Sequence, residues 1–132
     1  MAFEESLRSI SLDADSSVGI YTGVPGLPGS ANPNGGKQYH FVKITGAHTV
    51  GLATALADPI VGVMQNKPQM VGQAATVGIA GVSKVQLGGT VAAGDFLVPN
   101  AAGAGVMNAA GKCVALSGGA TGDLVPVLLR FN

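Results

Sequence analysis

The sequence predicts an all-β fold: a small β-sandwich or barrel, jelly-roll-like, of about eight short strands preceded by an extended N-terminal arm. Three observations carry this. Short apolar, β-branched runs recur at intervals of about 8 to 12 residues, with Gly, Pro, Asn and Asp clusters between them. No stretch supports an amphipathic helix of even three turns. The third is composition: 47% of residues are hydrophobic but only 5% aromatic, with 21 glycines and no Trp, which describes a core of small side chains.

Residues 1 to 36 read as an arm and a Pro/Gly-rich loop, and residues 37 to 132 as the β-domain. Phe3, Leu7 and Ile10 fall at i, i+4 and i+7, and Glu4 precedes Arg8 by four, as in two helical turns. The overlapping Arg8 to Ala14 alternates equally well, with Ile10, Leu12 and Ala14 on one side. Helix and strand both fit. A short strand is expected over Val18 to Thr22. Gly23 to Gly36 then holds three prolines and is loop, because proline lacks a donor and glycine carries the largest ordering cost. Such an arm has too little apolar content to fold on itself and is expected to order against another surface.

From Tyr39 the strands follow one another. Tyr39 to Ile44 is aromatic and β-branched. Ala47 to Ala57 has room for one helical turn, stopped before Asp58-Pro59 because the residue preceding proline avoids helical geometry. Ile60 to Met64 is the next strand. Gln73 to Ile79 and Val82 to Leu87 bracket Ala80-Gly81, where a bulge or bend is expected. Asp95 to Val98, Val106-Met107, Lys112 to Leu116 and Leu124 to Phe131 complete the series. In the last, Val125, Val127, Leu129 and Phe131 form an inward face, and Pro126 on the other face implies an edge strand or a bulge. Turn chemistry repeats: Gly72-Gln73, Gly94-Asp95 and Gly122-Asp123 each open a strand, and Asn-Ala-Ala-Gly occurs at 100 to 103 and at 108 to 111. Their spacings are too uneven for a solenoid.

Seven basic and seven acidic residues balance, so no basic face is available for nucleic acid. No run of 18 apolar residues exists, so no membrane-spanning helix is expected. The N-terminus is acidic where a secretory leader is basic. The single cysteine, Cys113, reads as a buried thiol made in a reducing interior.

The sequence offers little for catalysis. His40 and His48 stand eight apart and far from Cys113, which is poor ligand spacing for a metal. Gly35-Gly36-Lys37-Gln38 fails the phosphate-loop pattern, which needs Gly at Ala31 and Ser or Thr at Gln38. Gly103 to Asn108 lacks the third glycine of the dinucleotide fingerprint. Asp58, Asp95 and Asp123 read as turn residues rather than an acid–base pair, and Lys84 as a solvated strand lysine rather than a carrier of a prosthetic group. No enzyme activity, metal or cofactor is expected. What remains is the surface: 11% charged residues leave an exterior rich in small and apolar groups, as where neighbouring subunits cover it.

Five segments taken in order, Tyr39 to Gly46, Ile60 to Pro68, Gly78 to Val85, Ala93-Gly94-Asp95 and Gly122 to Val127, resemble the small capsid decoration, or cement, proteins of tailed bacteriophages. The resemblance runs from about residue 38 to residue 130, and departs from the pattern at Gln73, where an acidic residue is common. It implies a non-enzymatic virion protein, made in the host cytoplasm, that binds the outer capsid surface in many copies. Its partners would be the major capsid protein and itself, with a homotrimer favoured and a homodimer possible. The arm is the expected contact, through Phe3, Leu7, Ile10, Tyr21, Val24 and Leu27, laid across a capsid protein or a sister subunit by strand addition. Two other classes stay open. A carbohydrate- or receptor-binding domain of a phage fibre would need exposed aromatics, of which Tyr21 and Tyr39 are the only tyrosines. A small hydrolase would need Cys113 or an Asp pair.

Overall fold

The computed structural model describes residues 7–18, 37–68 and 71–131. The fold is all-β, with nine strands among the described residues: β1 Leu7–Ala14, β2 Phe41–Gly46, β3 Thr49–Leu52, β4 Ile60–Met64, β5 Ala74–Gln86, β6 Phe96–Pro99, β7 Gly105–Met107, β8 Cys113–Ala115 and β9 Leu124–Arg130. Their order is β1-β3-β2-β4-β5-β9-β8-β6-β7, and β1 also pairs with β5. The first five strands therefore close a ring. β5, 13 residues long, runs on past that barrel, and its second half starts a sheet through β9, β8, β6 and β7. The sheet curls until Leu87, just beyond β5, bridges Gly105 of β7.

Two cores follow from this path. The barrel interior holds Ala14, Val18, Val42, Val50, Met64, Ala75 and Val77. The second core lies between the barrel wall and the curled sheet, and holds Phe41, Val63, Val85, Leu87, Leu97, Cys113, Val125, Val127 and Leu129 among others. Successive side chains of a strand point to opposite faces, so Phe41 and Val42 serve different cores, as do Val63 and Met64. A strand buried on both sides reads as a continuous apolar run. Ile60–Met64 is such a run.

Several expectations are corrected here. Of the two readings open for Leu7–Ala14, the strand is the one found, and it belongs to the domain rather than to a separate arm: it pairs with β5 from Leu7↔Gly81 to Asp13↔Ala74 and with β3 at Asp13 and Ala14. Its main-chain groups find partners within the chain, so over these residues the arm does not await another surface. Asp15 fixes the next turn. Its carboxylate accepts from Ser17 N–H at 2.8 Å, from Ser17 Oγ at 2.6 Å and from Thr45 Oγ1 at 2.9 Å. Ser17 Oγ in turn accepts Leu52 N–H at 2.7 Å, and Val18 is fully buried beneath them. Ala47 to Ala57 holds strand β3 and a turn rather than a helical turn, because Val50 and its neighbours complete the ring beside β2. The two strands bracketing Ala80-Gly81 are one. The irregularity is there, with a register shift where Arg8 faces Ala80 and Ser9 faces Gly78, and Gly81 has φ 106°. Pro126 is not on an edge strand, since β9 lies between β5 and β8. Its carbonyl accepts Leu116 N–H at 2.9 Å, and β8 has ended at Ala115. The missing donor therefore faces a position where no strand remains to use it.

The repeated turns are built alike. Asn100 and Asn108 each bond the N–H two residues on, Ala102 and Ala110, at 2.9 Å, and each carbonyl accepts from the closing glycine at 3.0 Å. Residues 87–95 and 115–123, offset by 28, are related by a local dyad. Leu87 N–H donates to Asp123 O and Ala115 N–H to Asp95 O; Gly94 N–H donates to Ala115 O and Gly122 N–H to Leu87 O; Val91 and Gly119 exchange both bonds.

Candidate interaction surfaces

Among the described residues, most of the polar groups weighed for catalysis are held in structural roles. Asp58 Oδ2 accepts from the N–H groups of Thr54 and Ala55 and meets Lys43 Nζ at 3.2 Å. The Thr54 N–H bond foremost, helped by Lys43 and the Ala55 N–H, holds its carboxyl below the usual carboxylate range and outweighs the opposing effect of burial. Asp95 and Asp123 Oδ2 accept from Ala92 and Ala120 N–H, both at 2.9 Å. Each carboxylate reaches back three residues to close its own turn, the turn role that the sequence predicts. Cys113 is buried beneath β8, and loss of solvation pushes its thiol up to about 12, so almost no thiolate forms at neutral pH. His40 is 9% exposed, its Nδ1 3.0 Å from Gln38 O. Burial lowers its pKa, with Lys37 adding in the same direction, and this outweighs the raising effect of the bond to Gln38 O. His48 is exposed in the β2–β3 turn at φ 53°. Among the described residues no three His, Cys, Asp or Glu side chains gather as a metal set. Lys84 is exposed near the end of β5, opposite Pro126 in the ladder with β9, and not at a hairpin tip.

Of the contact residues expected from the sequence, two are described. Leu7 is half-buried and packs on the second core. Ile10 keeps 40% of its surface exposed and is free to meet a partner. Phe3, Tyr21, Val24 and Leu27 lie outside the described residues.

Two apolar surfaces were missed. The first is a pocket of about 150 Å³ between the barrel and the curled sheet, walled by Phe41, Leu56, Ile60, Leu97, Pro99 and Phe131, with Asp58 and Lys112 at its rim. A cavity of that size accommodates about one aromatic ring. The second is the outer face of the curled sheet. Pairing carries Val82 to Leu128, Leu128 to Val114 and Val114 to Phe96, so these four side chains form one row across four strands. Beside it stand Leu116, Leu124 and Pro126. Phe96 is 43%, Leu116 48% and Leu124 49% exposed. The sequence did carry a signal. Leu124 to Leu129 is apolar on both faces, and an antiparallel strand with one wet face alternates instead.

No family model matches the chain, and no curated protein matches it. Among solved structures, the chain is similar to the head fibre gp8.5 N base of bacteriophage phi29, with a TM-score of 0.61 and 16% identity over 96% of this chain and 97% of that one. At that identity the likeness is one of fold: this chain has an all-β architecture also used by a phage head fibre base.

Proposed function

We propose that the protein is a non-enzymatic structural component of a phage virion that binds the outside of the assembled head as an oligomer and ties adjacent capsomers together. The observation that carries this reading is the combination of a fold shared with a head fibre base and an exterior bearing eight large exposed apolar side chains among the described residues. The segments resembling decoration proteins agree with it. Mass action supplies the mechanism. A protein that binds only the assembled shell stabilises it by roughly 2.7 kcal/mol per site at a hundredfold excess over Kd. An oligomer that touches several capsomers gains effective concentration for each later contact. Shell pressure is then resisted by many contacts of ordinary size. On the capsid side, Ile10 and the 150 Å³ pocket offer a projecting apolar group and a socket for one.

The head fibre likeness favours a second reading, in which the same fold is the base that fastens a receptor- or carbohydrate-binding fibre to the head. Both readings place the protein on a phage head and differ in what it does there. The test is co-sedimentation with empty, undecorated heads, followed by heating the heads with and without the protein. Cementing predicts saturable binding and a higher disruption temperature. Binding with no change in disruption temperature supports the fibre base, and no binding refutes both. β1 is a barrel strand, so Ile10→Glu is a better probe of the contact than deletion of the arm.

A further inference from the structure

The outer face of the curled sheet has an electrical direction as well as an apolar row. One end carries Asp95 and Asp123, at the turns that open β6 and β9. The other carries Lys112, Arg130 and Arg8, because β9 ends at Arg130 opposite Ala80, Ala80 also faces Arg8 of β1, and Lys112 precedes β8 beside Val98. Lys84 lies between the ends. Among the described residues the only ion pair is Lys43–Asp58, so neither end is neutralised by another described side chain.

The geometry points to a second copy of this chain as the occupant, with the acidic end of one copy's face against the basic end of the next and the apolar rows shielded between them. Charge complementarity selects this arrangement. Like ends brought together place Asp95 and Asp123 against their own counterparts, and Lys112 and Arg130 against theirs, which repels. Opposite ends together form ion pairs at both rims of a patch whose centre is Leu128, Val114 and Phe96. A face with such a direction closes a ring of two as a face-to-face pair, or a ring of three about an axis. The acidic end is built twice by the local dyad, since Asp95-Phe96 and Asp123-Leu124 are dyad equivalents. The inference deepens the oligomeric part of the proposed function and does not depend on the shell.

The experiment is light scattering of the full chain across protein concentration and salt, with circular dichroism to confirm folding. The parent is expected as a dimer or trimer whose dissociation midpoint rises severalfold from 50 to 500 mM salt. Lys112→Glu/Arg130→Glu is expected to weaken association by at least tenfold. Asp95→Asn/Asp123→Asn keeps the turn acceptors and weakens it less. Lys67→Glu, in the first half, leaves it unchanged. Phe96→Ser with Leu124→Ser tests the apolar row without touching charge. A parent that is monomeric at all concentrations overturns the inference, as does an oligomer indifferent to both the charge and the apolar variants. Co-sedimentation with heads is scored separately, so a face that fails here does not by itself remove the virion reading.

Discussion

The two halves of the molecule share β5 and fill their cores with side chains of different size. The barrel closes tightly on small side chains. A methyl on Gly62 would collide with the carbonyl oxygen of Gly78, one on Gly51 would strike the Asp15 carboxylate, and the end by Val18 is sealed by Asp15, Ser17 and Thr45. The curled sheet encloses Phe41, Leu87, Leu97 and Leu129 and leaves further apolar groups on its outside. Backbones also approach closely in the second half, where a methyl on Gly111 would meet the Leu97 carbonyl oxygen, but there larger apolar side chains fill the core as well. A fold with this division can keep its barrel fixed while the sheet's outer face is given over to association.

The comparison can be broken at the barrel first. Gly62→Ala should have the largest effect, above about 4 kcal/mol and enough to abolish folding, because the clash is with backbone that cannot rotate away. A soluble, cooperatively melting variant would show that the ring is looser than described. Next come the cores themselves. Phe41→Ala should cost about 3–5 kcal/mol and Val50→Ala, in the barrel, clearly less. Urea midpoints at constant slope report the difference, and equal costs would erase the distinction between the halves.

Alkaline pH sharpens the comparison, because Cys113 belongs to the second core alone. Its thiol ionises near 9 when exposed and near 12 in the fold. Between those values the unfolded chain binds fewer protons, so stability is whole below pH 9 and falls as pH rises, by at most about 1.4 kcal/mol per pH unit from this group. Cys113→Ala should flatten that slope in pH-dependent urea titrations, and thiol reagents should react with the parent only as fast as it unfolds. The smallest expected effect lies in the twin Asn turns. Asn100 Oδ1 accepts from both Ala102 and Ala104 N–H, whereas Asn108 Oδ1 accepts from Ala110 alone. Asn100→Ala should therefore cost about 1 kcal/mol and Asn108→Ala about half that, read as a difference in melting temperature.

Much of this was legible in the residues. Ile60–Met64 was bounded correctly, and β2, β6, β7, β8 and β9 fell within about two residues of their places, because apolar runs between turn signals leave little freedom. The turn roles of Asp58, Asp95 and Asp123 followed from the chemistry of a short carboxylate. β3 was not legible: Thr49-Val50-Gly51-Leu52 is four residues long and interrupted by a glycine, and its place is set by β1 and β2, which are distant in sequence or need a tight turn. Leu7–Ala14 satisfied two periods at once, and only its partner β5 decides between them. The outer face escaped notice because an apolar run records burial on both sides without saying which side another chain covers.

The local dyad makes residues 87–95 and 115–123 depend on one another. Each of its two segments supplies the carbonyls that the other's amides require, so one alone leaves both sets unsatisfied, while two identical units meeting about an axis satisfy everything. Neither segment can therefore settle before the other, and the two must be laid down together although 28 residues separate their equivalent positions Gly94 and Gly122.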